Sequence, residues 1–71
     1  MIAAEVTMNS NMDGTWERLD WCRKQFGQRA PSADNISETK FLWGYRSGIF
    51  ETTYHFARAE DCTLFILRWS S

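Results

Sequence analysis

The chain has 71 residues, a net charge of −1, one histidine and two cysteines. That length suits one α+β-sized domain spanning residues 1–71, with a thin stability margin that a disulfide, a metal or a partner subunit commonly supplements. The charge is wrong for a generic nucleic-acid binder, no apolar run approaches membrane-spanning length, and no CxxC or paired histidine suggests a metal or cofactor site.

The first strand is read from Ile2, Ala4, Val6 and Met8, which alternate with Ala3, Glu5 and Thr7. This start carries neither a basic segment nor a long apolar run, so a cytoplasmic protein is expected. Residues 9–14 form a turn-rich link in which Asp13 or Thr15 can cap a helix from about Gly14 to Phe26. The expected core stripe of that helix is Trp16, Leu19, Cys22 and Phe26. Gly27 stands where helices commonly end on a left-handed residue. Trp21 lies about 140° from Trp16 on the helical wheel, which places it off the stripe.

Residues 28–39 are a polar loop holding the only proline, long for so small a domain. Lys40 to Phe56 reads as a β-hairpin with Ser47-Gly48 at its turn. That turn pairs Arg46 with Ile49, Tyr45 with Phe50, Trp43 with Thr52 and Phe41 with Tyr54. The register collects Phe41, Trp43, Tyr45, Phe50, Tyr54 and Phe56 on one face and Lys40, Arg46, Glu51, Thr53 and His55 on the other. After Phe56 the period changes. Cys62, Phe65, Ile66 and Trp69 share a helix stripe, with Glu60 and Asp61 in the first turn, where negative charge suits the helix dipole. The element order is β-α-β-β-α. The expected architecture is a three-stranded sheet with both helices on its aromatic face and solvent on the other. Strand order stays open.

Both cysteines fall on predicted core stripes, which favours buried free thiols over a disulfide, and a partner subunit then becomes the remaining aid to stability. Three apolar residues are left without cover: Trp21 on the first helix, and Leu64 and Leu67, which project about 140–200° away from Cys62 on the second. Large uncovered apolar groups mark contact surfaces, so these three are the interface candidates and a homodimer is the expected assembly. The alternative cover is the long loop, with Ile36 packing on one of them. His55 is the one side chain whose ordinary titration lies near neutrality, but Glu51, four residues along the strand, is out of reach as its carboxylate partner. No nucleophile, carboxylate pair or glycine-rich phosphate loop is present, so no enzyme is expected. The alternative function is nucleic-acid binding through the Lys40/Arg46/His55 face.

Two motifs resemble a known group. Trp21-Cys22-Arg23-Lys24-Gln25-Phe26-Gly27 resembles the "WCxxxFG" helix end of small uncharacterised tailed-bacteriophage proteins. Phe56 to Trp69 is similar to that group's closing "F-x-N-E-E-D-A-x-x-F-x-L-x-W" segment, with Arg58 where the group tends to have Asn and Cys62 in place of the usual Ala. The resemblance implies a phage accessory protein in the cytoplasm of an infected host, binding a phage or host protein. It carries over no functional residue.

Overall fold

The structure, a computed structural model, describes residues 2–9 and 12–69; the side chains of Met12 and Asp13 are not among the described parts. The elements are β1 (Ala4–Asn9), α1 (Met12–Phe26), β2 (Trp43–Ser47), β3 (Glu51–Phe56) and α2 (Ala59–Trp69), with a single 3₁₀ turn at Ala33–Asn35. The order β-α-β-β-α and the α+β class are as expected. β3 lies in the middle of the sheet, antiparallel to β1 on one side and to β2 on the other. Its central place explains why Thr52, Tyr54 and Phe56 are all buried.

Both helices pack on the aromatic face. Phe65 of α2 meets Tyr54 at 4.6 Å and Phe56 at 5.4 Å between ring centroids, and Phe26 of α1 meets Phe56 at 5.7 Å. With Cys22, Trp43 and Cys62 these residues form the main core. Aromatic pairs at such separations, tilted or edge-on, add to the benefit of their burial. A few polar atoms interrupt the packing. The Tyr54 hydroxyl is buried without a hydrogen-bond partner among the described residues, as is Arg18 Nε. Burial pushes the Tyr54 phenol up from its ordinary range, and the neighbouring Arg18 guanidinium offsets part of that.

The helix termini follow local chemistry. α1 starts at Met12, two residues before its expected start, so Thr15 lies inside the first turn and is not its cap; the Asp13 side chain is not described. Gly27 takes φ +92° and its N–H returns to the Arg23 carbonyl at 3.0 Å, which ends the helix on a left-handed residue. α2 opens beneath Arg58, whose carbonyl accepts from the N–H groups of Asp61 and Cys62. The Arg58 side chain then folds onto Asp61, donating from Nε at 2.9 Å and Nη2 at 3.2 Å. This fork fixes the first turn of α2, and the Asp61 carboxylate holds the guanidinium pKa above its ordinary value.

Three further expectations about the sheet and its cover are corrected. The first concerns the hairpin. Gly48 N–H donates to the Glu51 carbonyl, so the two tip residues are Ile49 and Phe50 and not Ser47 and Gly48. Every partner moves four residues along: Trp43 pairs with Phe56, Tyr45 with Tyr54 and Arg46 with Thr53. An even shift keeps each side chain on its face, so Trp43, Tyr45, Tyr54 and Phe56 still point to the helices. Phe50 does not; it sits exposed at the tip. Phe41 and Lys40 precede β2, which begins at Trp43, so neither belongs to the sheet face assigned to it.

The second correction exchanges two tryptophans. Trp21 is half-buried, packed edge-on against Phe26 at 5.6 Å and Trp69 at 6.3 Å, whereas Trp16 is 70% exposed. On the wheel both lie about 100° from the Cys22–Phe26 line, on opposite flanks. α2 covers the flank of Trp21. The flank of Trp16 faces the open side of β2.

The third correction concerns the face without helices. It is not left wholly to solvent. After Gly27 the chain passes along β2, where Ala30 N–H donates to the Trp43 carbonyl at 2.9 Å and Trp43 Nε1 donates to the Gly27 carbonyl at 2.7 Å. The arm then folds across the sheet and drives Ile36 down to complete burial, beside Ala30 and Ala57. Gly44 makes room for it. A Cβ there would lie 3.1 Å from Ile36 Cδ1 and 3.3 Å from Ala30 Cβ. Ile36 therefore seals the second face and covers neither Trp21 nor the leucines of α2. Ile36 and Phe41 also bridge as a parallel pair.

Candidate functional site

Two surfaces stand out, one apolar and one polar. The apolar one is the outer side of α2. Leu64 and Leu67 are 45% and 69% exposed, and Ile66, expected on the core stripe, is itself partly open at 38%. The inward stripe keeps Cys62 and Phe65 buried and Trp69 half-buried. A helix that is apolar on both sides has one side fitted to its own core and another available for contact. Glu60 in the first turn and Arg68 in the last turn flank the leucines. Arg68 lies over the ring of Trp69, 4.5 Å from its centroid.

The candidates Trp21, Leu64 and Leu67 thus divide. The two leucines are open and on one helix side. Trp21 belongs to the core, and Trp16 takes its place as the uncovered tryptophan. Trp16 borders a groove between α1 and β2 whose walls include Leu19 and Tyr45 and whose rim includes Arg23 and Arg29. The Tyr45 ring in this groove is already covered. Tyr45 has Trp43 stacked at 6.1 Å, and Arg29 sits over its ring at 4.4 Å while donating to its hydroxyl.

The polar surface is the helix-free face of the sheet, where the arm leaves a cleft of about 460 Å³. Its floor is a grid set by the strand register. Glu5, His55 and Gly44 make one cross-strand row, and Thr7, Thr53 and Arg46 make the next. Within the first row His55 Nδ1 and Glu5 Oε2 are 3.0 Å apart. Within the second the hydroxyls of Thr7 and Thr53 are 2.8 Å apart. The His55 side chain is only 13% exposed, and Ile36 and Ala33 of the arm line the same cleft. Arg46 lines the same cleft and has no carboxylate partner among the described residues.

Of the Lys40/Arg46/His55 set, the structure brings together Arg46 and His55, which sit diagonally across neighbouring strands. Lys40 lies in the turn closed by its N–H to the Ser37 carbonyl, away from the cleft lining. The carboxylate partner of His55 is Glu5, fifty residues away in sequence, a pairing set by the β1–β3 ladder.

Neither cysteine contributes to these surfaces. Cys22 and Cys62 are free and buried, and burial raises both thiols, that of Cys22 to about 12. Thiols so placed are poor nucleophiles at neutral pH. Among the described residues no group of three or more His, Cys, Asp or Glu is placed to hold a metal ion, and no helix is long and apolar enough to cross a membrane. No protein-family profile, curated protein or solved structure matches the chain.

Proposed function

We propose that this chain acts by protein–protein binding, as a homodimer joined through the outer side of α2. The observation that carries the reading is the pair Leu64 and Leu67, open to solvent on a helix whose opposite stripe is already buried. A second copy is the occupant that fits their surroundings. Two antiparallel α2 helices related by a two-fold axis at Leu64 set Glu60 of each against Arg68 of the other, because both residues lie four positions from Leu64. A two-fold contact of this kind is self-complementary in charge as well as in apolar surface. It also supplies the partner subunit that a chain of 71 residues, with no disulfide and no metal cluster among its described residues, is short of.

The resemblance of the Trp21–Gly27 and Phe56–Trp69 segments to small tailed-phage proteins supports a setting for this binding: an accessory protein in the cytoplasm of an infected bacterium, meeting a phage or host protein. Sedimentation at micromolar concentration tests the dimer. The expected mass is twice the 8.3 kDa of the chain. Leu67→Asp is expected to reduce it to a single copy while leaving far-ultraviolet circular dichroism unchanged. A wild-type chain that stays at 8.3 kDa up to about 100-fold higher concentration would overturn the reading.

A further inference from the structure

We infer that the cleft on the helix-free face is a binding site for a small oxyanion, a phosphate or carboxylate group held between Arg46 and His55. The inference goes beyond the dimer and does not depend on it.

The site is built on rigid elements. His55 stands on the central strand, Glu5 on one neighbour and Arg46 on the other, and the register fixes all three. Such a floor holds a constellation more firmly than a loop does. Gly44 stands directly opposite His55, and Ile36 and Ala30 close down over it, which walls the cleft at that end and leaves it open toward Arg46 and Thr53. The imidazole is largely shielded from water, which strengthens any charge interaction made there.

Two polar groups of the cleft have no partner among the described residues. Across the cleft lining the ionisable groups are Glu5, His55, Arg46 and Tyr45. The Tyr45 hydroxyl already accepts from Arg29. Glu5 serves His55 Nδ1, which leaves Nε2 without a partner among the described residues and Arg46 without a counter-charge. An oxyanion between the last two supplies both. One oxygen accepts from the Arg46 guanidinium, a fork suited to carboxylate and phosphate. Another accepts from Nε2–H of the imidazolium, whose charge Glu5 supports from the other side. Where the ring is neutral, binding takes up one proton on Nε2. The Thr53 hydroxyl, between Arg46 and Thr7 in its row, is a further donor or acceptor for a third oxygen. Two positive groups then face two negative ones.

Titration of the full chain with inorganic phosphate, and separately with acetate, followed by nuclear magnetic resonance of the His55 ring nitrogens and the strand amides, tests this. The expected result is a saturable shift at His55, Thr53 and Arg46, with Nε2 moving toward its protonated position. Arg46→Gln, a change at an exposed position, is expected to weaken the apparent affinity at least about tenfold, the loss of one charged hydrogen-bonding partner. Saturation by both ions supports a general oxyanion site, and saturation by phosphate alone or acetate alone names the group. Shifts that rise linearly with either ion, or that persist unchanged in Arg46→Gln, overturn the inference. Leu67→Asp is expected to bind the ion as the wild type does, so failure of the dimer and failure of the anion site are read separately.

Discussion

The two faces of the sheet are closed by different means. The aromatic face is sealed by two helices whose buried residues recur at regular intervals, so many side chains share the load: Phe26, Phe56, Phe65, Tyr54 and Trp21 each touch at least one other ring. The opposite face is sealed by one irregular arm, held by Ile36 over Gly44 and by the Ala30 hydrogen bond to β2. The difference teaches where chemistry is available. A face filled by rings shuts its few polar groups, such as the Tyr54 hydroxyl, away from ligands, whereas a face covered at one end leaves a sheltered polar cleft at the other.

The contrast breaks first at Phe65. Phe65→Ala is expected to cost about 3–5 kcal/mol, the loss of a fully buried ring and the cavity it leaves, measured by urea unfolding. Ile36→Ala is expected to cost less, about 2–3 kcal/mol, because only the arm closes on it. Hydrogen exchange should show the Ala30 and Ser37 amides opening in this variant while the β3 amides stay protected. Equal costs at the two positions, or β3 opening together with the arm, would show that the two faces are not the separate units described.

A pH-dependent effect sharpens the account of the aromatic face. Cys22 has its folded-state pKa raised to about 12 by burial, above that of the unfolded thiol at about 8.5. The native state therefore keeps its proton where the unfolded state has lost it. The contribution of Cys22 is complete below about pH 8.5 and is lost as pH rises toward 12, with a slope of about 1.4 kcal/mol per pH unit. Comparing wild type with Cys22→Ala over that window isolates the slope. A wild-type thiol that reacts with an alkylating reagent at neutral pH without unfolding would contradict the burial on which it rests.

Much of the aromatic face was legible in the sequence, and little of the other. The alternation of Ala4, Val6 and Met8 and the change of period after Phe56 are local signals, and they place β1 and α2 correctly. The hairpin turn was misplaced because a Ser-Gly pair is a common turn signal. Here the tip is Ile49-Phe50, with no positive φ among the described residues outside Gly27. The faces survived that error because the register moved by an even number of residues. The exchange of Trp16 and Trp21 has another cause: a wheel gives angles within one helix and does not say which flank a second helix will cover. Ile36 was legible as a loop residue able to pack but was assigned to the wrong face, because a single apolar residue in a polar loop has no periodicity to say what it covers. The Glu5–His55 pair was invisible because it depends on β1 lying beside β3, and the order of strands is not written in either segment. Leu64 and Leu67 were legible, since two leucines opposite a filled stripe need only the pitch of the helix.

The central claim is that this open side of α2 meets its own copy. The most direct test is Leu64→Cys, which puts a thiol where the two-fold axis passes while the native cysteines stay buried. Under mild oxidation the account predicts a disulfide-linked dimer at twice 8.3 kDa on a non-reducing gel, absent when the new cysteine replaces exposed Glu17 on α1 instead. A Leu64→Cys chain that remains single, or links no faster than the Glu17 control, would contradict it.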